Sequence, residues 1–445
     1  ALLGSAAQPK GLGTHRTTER IVKMTRIKTA LAAGVSAMAL IGVAAPANAQ
    51  DADVRELKQQ MREMQERIDK LEGQTKKAME ETSGAPSIQP EKGVRLTIAG
   101  RVNQAVLFAD QGDQDQFFVV DNDGSGSRFE FLGEKDFGAW TSGTKIVTSV
   151  ERNSTDEIKF NNVNNGENIF VRKVNWFLEH PRFGYLSIGK GDTAAEDVTH
   201  VDLSGTSFAG AGSDVDDMAG GLEFVNDQGA QLDPNGDEDE LDDFFDALDG
   251  GRDQRIFYET PSLAGASLMA SYATSSDQTG LQPAIGFNYG ATVSGFDVEA
   301  AGAWREEQNG GNDDTFFTGS ASVLTPYGIN VTIAGGTADL ESSNADDPNM
   351  LFGKIGYIND FTGVGDTAVS VDIYRGHSND TFAAPDGDLP EATSYGVSLV
   401  QNIDKLETEL FVTARQYDVD DVFVGGTEQD VDELTAVMSG ARVRF

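Results

Sequence analysis

The chain has 445 residues, with 34 Lys and Arg against 72 Asp and Glu, a formal charge of −38, 50 Gly and no Cys. That balance excludes a nucleic-acid binder, which needs a basic face, and the missing Cys exclude a disulfide scaffold and a thiolate metal site. No run after residue 50 approaches the ~18 consecutive apolar residues of a membrane helix, which leaves an acidic, glycine-rich, β-rich protein.

Residues 1–23 precede Met24 and read as a non-native upstream extension. Residues 24–49 carry bases at Arg26 and Lys28, an apolar run from Thr29 to Ala45, and the cleavage pattern Ala47-Asn48-Ala49. This is the layout of a secretory signal peptide; the run is too short and too rich in Ala and Gly for a membrane anchor. Residues 1–49 hold six bases and one acid, so the remainder has 28 bases against 71 acids, a charge of −43.

In 50–80 the apolar residues Val54, Leu57, Met61, Met64, Ile68 and Leu71 are spaced 3, 4, 3, 4, 3, with charged and amide residues between them. That is an a/d heptad seam, and the sequence holds no second helix to cover it. A self-associating coiled coil is expected, followed by a linker at 81–93 containing Ser83, Gly84, Pro86, Pro90 and Gly93.

From Val94 the period changes to two. Val94, Leu96, Ile98 and Val102 alternate with Arg95, Thr97, Arg101 and Asn103, and Phe296, Val298, Ala300 and Trp304 alternate with Asp297, Glu299 and Arg305. Sixteen such segments are predicted: 94–109, 127–135, 139–152, 168–179, 184–191, 254–260, 265–275, 282–290, 294–306, 314–324, 327–339, 349–358, 364–376, 392–402, 405–418 and 433–445. Alternation alone fits a soluble sandwich or a β-helix equally well. The connections decide. Short turns alternate with mostly longer polar loops, including 110–126, 153–167, 192–253, 340–348, 377–391 and 419–432, and both ends lie on the short-turn side. This is the layout of an antiparallel transmembrane β-barrel of about sixteen strands, with counts of 14 and 18 left open. One face of nearly every segment is polar, so the interior is wet.

Residues 94–445 resemble the Gram-negative trimeric outer-membrane porins. The terminal Val443-Arg444-Phe445 is similar to their C-terminal assembly signal. Ser127-Arg128-Phe129-Glu130-Phe131, Glu134-Lys135-Asp136-Phe137-Gly138, Phe183-Gly184-Tyr185-Leu186-Ser187-Ile188-Gly189-Lys190 and Ile256-Phe257-Tyr258-Glu259-Thr260-Pro261 resemble porin hairpins in the same order. The coiled coil resembles the periplasmic extension of trimeric porins tied to dicarboxylate uptake. The resemblance implies a homotrimer in outer-membrane lipid that passes small hydrophilic solutes and ions by passive diffusion. Two other functions stay open: a specific channel for anionic metabolites such as dicarboxylates, and a structural tether whose coiled coil contacts the cell wall.

It also implies that the connection after the fifth strand folds inward. Here that connection is 192–253, and its first half supplies the candidate constriction acids Asp192, Glu196, Asp197, Asp202, Asp214, Asp216 and Asp217. The second half holds eight acids in Asp237 to Asp249 and is expected to project outward as a solvated flap, with Leu222 to Val225 as an extra short strand between the halves. Strand parity puts Arg101, Arg128, Lys145, Lys173, Arg255, Lys354 and Arg415 on the lumen face. Read as a ladder, they oppose the acidic loop across the pore; read singly, they pair with Glu130, Glu151, Glu259 or Asp372. No catalytic site is expected: there is no nucleophile–base pair, and His180, His200 and His377 lack ligand spacing. Asp233 to Asp237 begins like an EF-hand but has Glu238 and Phe244 where Gly and Glu are required. No cofactor is expected beyond adventitious surface calcium.

Overall fold

Successive residues of a strand point to opposite faces, and in this computed structural model the two faces differ sharply. It describes Ser87–Ile88 and residues 93–445, apart from 113, 161, 163–165, 234–238, 275–279, 310–311 and 342–344. The upstream extension, the signal peptide and the coiled-coil seam lie outside the described residues.

Sixteen antiparallel strands form the wall: β1 (Arg95–Asp110), β2 (in two pieces, Asp115–Asp121 and Arg128–Phe137), β3 (Trp140–Arg152), β4 (Glu167–His180), β5 (Gly184–Asp192), β6 (Arg252–Glu259), β7 (Ala266–Thr274), β8 (Leu281–Val293), β9 (Phe296–Asn309), β10 (Asn312–Leu324), β11 (Ile329–Asp339), β12 (Asn349–Asn359), β13 (Thr367–His377), β14 (Glu391–Ile403), β15 (Thr408–Asp420) and β16 (Leu434–Arg444). Each pairs with the next, and β16 pairs with β1 from Arg101↔Arg444 to Asp110↔Thr435. Closure gives every strand of the wall a neighbour on both sides, which a lipid-exposed sheet requires.

Outward residues are apolar and exposed, among them Val102 and Val106 on β1, Ile333 on β11, Leu351 and Ile355 on β12, and Val397 and Leu399 on β14. In water such a surface would cost roughly 25 cal/mol per Å²; in a bilayer it is the favoured face. Inward positions carry Ser322, Asn330, Thr332, Ser370, Ser394, Ser398 and Thr413, all buried. Turns at one end are tight. Ser294 and Gly295 between β8 and β9 both have positive φ, 54° and 87°, as a two-residue hairpin turn requires.

One expected loop is largely strand. Residues 110–126 contain the first piece of β2, which pairs with β1 from Gln104↔Asp121 to Asp110↔Asp115. Its acidic surroundings hide a short alternation: Phe117 and Val119 are 67 % and 68 % exposed, while Phe118 and Val120 are buried. Between the two pieces, residues 122–127 leave the ladder around the short turn Asp123–Ser125, which is buried inside.

Candidate functional site

The connection after β5 enters the barrel and crosses it. Its backbone finds partners on strands far away in sequence: Ala194 N–H donates to Ser271 Oγ on β7 at 2.9 Å, and Val201 and Leu203 N–H donate to Ser320 and Ser322 on β10, each at 3.0 Å. Thr206 meets Ser370 on β13 at 2.8 Å, and Thr413 and Tyr417 on β15 donate to the carbonyls of Ala209 and Val215 at 2.7 and 2.6 Å. A buried backbone needs such partners, and the lumen-facing hydroxyls supply them.

All seven lumen bases project inward, but into two different settings. On the wall that the loop covers, Lys354 meets Asp202 at 2.6 Å and Arg415 meets Asp372 at 2.7 Å, all four side chains at most 4 % exposed. Lys354 and Arg415, expected to line the pore, are instead buried struts for the loop and do not border open space. Arg255 donates to the Asp192 and Gly189 carbonyls and to Ser187, bracing the loop's entry.

On the other wall, Arg101 and Arg128 pair directly across β1 and β2. Lys145 lies 3.1 Å from Glu130, and Lys173 lies 2.5 Å from Asp192. Solvent reaches this side: the Lys145, Asp192 and Asp197 side chains are 14 %, 16 % and 31 % exposed. Of the seven candidate acids, Asp192 and Asp197 flank this space. Glu196 pairs with Arg252, Asp202 with Lys354, and Asp214, Asp216 and Asp217 are buried.

Arg172 escaped the sequence pattern. The β3–β4 register shifts between Val147↔Lys173 and Thr148↔Val171, leaving Arg172 as an extra residue. This bulge turns both Arg172 and Lys173 inward, and Arg172 reaches Ser149 Oγ at 3.4 Å and Glu151 at 4.0 Å. Strict alternation puts Arg172 on the lipid face, so only its charge hinted otherwise.

His200 ties the loop to itself. Its Nε2 lies 2.7 Å from Asp214 and its Nδ1 lies 3.3 Å from Asp249 and 3.6 Å from Asp197. Burial disfavours the charged imidazole, but Asp214 and Asp249 outweigh it and raise its pKa well above the usual histidine range. Asp249 also accepts from Thr199 N–H and Oγ1 at 3.0 and 2.7 Å.

The second half of the loop does not form a solvated flap. It folds over the first half within the mouth at the long-loop end. Leu241–Phe244 forms one helical turn, and Leu241, Phe244, Phe245, Ala247 and Leu248 are buried. Phe245 packs on Tyr374 and Tyr417 with centroids 5.4 and 5.2 Å apart, and Phe244 on Phe382 at 5.6 Å. The acids drew the flap reading; the apolar residues between them decide the fold. Leu222 to Val225 makes isolated bridges, Glu223↔Glu240 and Val225↔Gln231, in place of the expected strand. Among the described residues no group of three or more His, Asp or Glu is placed to hold a metal ion.

A family model described as Gram-negative porin matches residues 33–422. No curated relative matches the chain. Among solved structures, an anion-selective porin from Comamonas acidovorans aligns with TM-score 0.53 at 17 % identity, covering 79 % of this chain and all of that one. Outer-membrane-expressed OmpT of Vibrio cholerae aligns with TM-score 0.51 at 14 % identity, covering 80 % of this chain and all of that one. With a closed sixteen-strand barrel, an inward-folded loop and a family model spanning most of its length, the chain belongs to the Gram-negative porin family, and it is an outer-membrane diffusion channel.

Proposed function

We propose that this channel works as a homotrimer and passes small hydrophilic solutes of either sign through the gap between the β1–β5 wall and the loop. The observation that carries this reading is the alternation of charge where solvent enters. Lys145 faces Glu130, Lys173 faces Asp192, and Asp197 lies within electrostatic reach of Arg128. Paired charges across a narrow gap create a transverse field that orients dipolar solutes without retaining one class. Trimerisation is supported by the trimer form described for OmpT of Vibrio cholerae and by the heptad seam at 54–71.

Liposome swelling tests the solute class. Uptake should fall smoothly with solute size, and succinate should enter no faster than an uncharged solute of equal size. Saturable, succinate-preferring uptake would replace this reading with the specific anionic-metabolite channel. Native mass measurement in mild detergent tests the assembly, and a monomer from folded protein would reject the trimer.

A further inference from the structure

Part of the barrel interior is dry. Phe411 on β15, Leu434 and Met438 on β16 and Leu107 on β1 all point inward, and all are buried. They share one apolar cluster with Phe208 and Met218 from the apex of the inserted loop. Close-packed apolar side chains keep water out of this sector as they do in the core of a soluble domain.

Toward the end with the tight turns the dry sector has a polar boundary. Solvent reaches Arg444 on β16 and Arg95 on β1, whose side chains are 41 % and 45 % exposed. Between that solvent and the apolar cluster stands Arg442, its guanidinium 3.5 Å from the centre of the Phe208 ring. Its Nη1 donates to Ser125 Oγ and its Nη2 to Glu409 Oε1, each at 2.8 Å. One planar cation thus joins the loop apex, β15 and the turn that interrupts β2.

The interrupting turn, residues 122–127, fills the rest of the boundary. Asn122 Nδ2 donates to the Phe208 carbonyl at 3.0 Å. Asp123 N–H donates to Thr155 Oγ1 at 3.0 Å, and that hydroxyl donates to the Asp217 carbonyl at 2.6 Å. Arg101 Nε reaches the Gly126 carbonyl at 3.3 Å from β1. Turn and apex touch through their backbones: a Cβ on Gly124 would lie 3.2 Å from Gly210 N and 3.3 Å from the Phe208 carbonyl oxygen. Contact that close leaves no room for a hydrated ion.

We propose that Arg442 and the infolded turn form a seal between the solvent at the tight-turn end and the dry sector behind the loop apex, so that solutes pass only on the β3–β5 side, beside Lys145 and Lys173. This rests on the passage proposed above and narrows it. Arg442 is then a positioning residue. It holds Phe208, Ser125 and Glu409 together, touches no solute, and limits the channel by closing space and not by attracting anions. Residues 122–127 leave the β2 ladder because their task is to meet the loop apex from the opposite wall.

The chain has no Cys, so a single introduced thiol reports where water goes. Lys145→Cys should react readily with a cationic methanethiosulfonate, read as a mass shift. Ala105→Cys, a buried inward position on β1, should react roughly 10²-fold more slowly. Adding Arg442→Ala, in protein that still migrates as a folded barrel, should speed the Ala105→Cys reaction roughly ten-fold. The same change should raise single-channel conductance in KCl roughly 1.5-fold. Asn122→Ala with Ser125→Ala leaves every charge in place and should act in the same direction to a smaller degree; it carries the test if Arg442→Ala does not fold. A lower unfolding temperature with thiol rate and conductance unchanged would make Arg442 merely structural and overturn the seal. So would an Ala105→Cys that reacts as fast as Lys145→Cys in the otherwise unaltered chain. Lys145→Cys and Ala105→Cys both unreactive would instead reject the β3–β5 passage itself, a result distinct from a leaking seal.

Discussion

Arg415 on β15 and Asp372 on β13 meet at 2.7 Å although β14 lies between them. They can do so because the residue between them, Gly396, has no side chain. Both pair with it, Asp372↔Gly396 and Gly396↔Arg415, and a Cβ there would lie 2.6 Å from Arg415 Nη2 and from an Asp372 oxygen. Arg415 Nη2 also donates to the Gly210 carbonyl at 3.3 Å, so the ion pair anchors the inserted loop.

Gly396→Val should therefore part the ion pair and loosen the loop at Gly210. The expected loss is about 1–3 kcal/mol from overpacking, plus the cost of separating buried charges. Gly353→Ala is the control, since its added Cβ would meet nothing nearer than Ile373 at 3.9 Å. The temperature at which the folded barrel unfolds in detergent should drop for the first variant and stay put for the second. Equal behaviour would show that the ion pair is not an anchor.

Selectivity should follow the residues that solvent reaches. Lys145→Gln should shift the reversal potential under a KCl gradient toward cations, and Asp197→Asn toward anions, each changing the permeability ratio by roughly two-fold at moderate salt. Arg415→Gln should leave the ratio unchanged and lower stability instead. A selectivity shift from Arg415→Gln larger than that from Lys145→Gln would place the passage along the opposite wall.

The His200 clasp should depend on pH in a definite direction. Its pKa is raised in the folded loop, so its stabilising effect is fully present below the unfolded histidine value of ~6.5 and is lost as pH rises through the raised value. The charged groups around it are Asp197, Asp214 and Asp249, with Asp217 also within electrostatic reach. Amide exchange in 196–216 should be slow near neutrality and faster at alkaline pH. His200→Gln removes the cation that lies between the buried Asp214 and Asp249, costing about 3 kcal/mol and accelerating exchange by roughly 10²-fold. It should also flatten the alkaline response. A variant with wild-type exchange would make the clasp incidental.

Phe445 closes the outward face of β16. Its backbone pairs with Gly100 in both directions, and its ring packs on Phe129 with centroids 5.8 Å apart. Gly100 leaves room for that ring: a Cβ there would stand 2.6 Å from it. Phe445→Ser should cut insertion into the outer membrane more than it lowers the stability of barrels already formed. Gly100→Val should reproduce the stability loss by pushing the ring away. Normal assembly of Phe445→Ser would remove the terminal residue from the insertion step.

The wall was legible because a lipid-facing strand shows its parity residue by residue. All sixteen predicted segments correspond to strands, with ends displaced by a few positions. Three things were hidden. The first piece of β2 is short and flanked by Asp, so its alternation did not stand out. Arg172 depends on a bulge, and one extra residue flips parity without leaving a mark in composition. The second half of the loop was judged by its acids, whereas the placement of Phe244 and Phe245 depends on Tyr374, Phe382 and Tyr417, which lie more than 120 residues away. Contacts between such distant residues are invisible to local pattern.

The hydroxyl anchors of the inserted loop also set an order of events. Thr206 waits for Ser370, and the Ala209 carbonyl waits for Thr413, partners 164 and 204 positions later in the chain. Contacts between such distant positions form late, because closing a long chain segment is entropically costly. The inserted loop can thus be sewn to the far wall only once β13 and β15 have taken their places in the sheet.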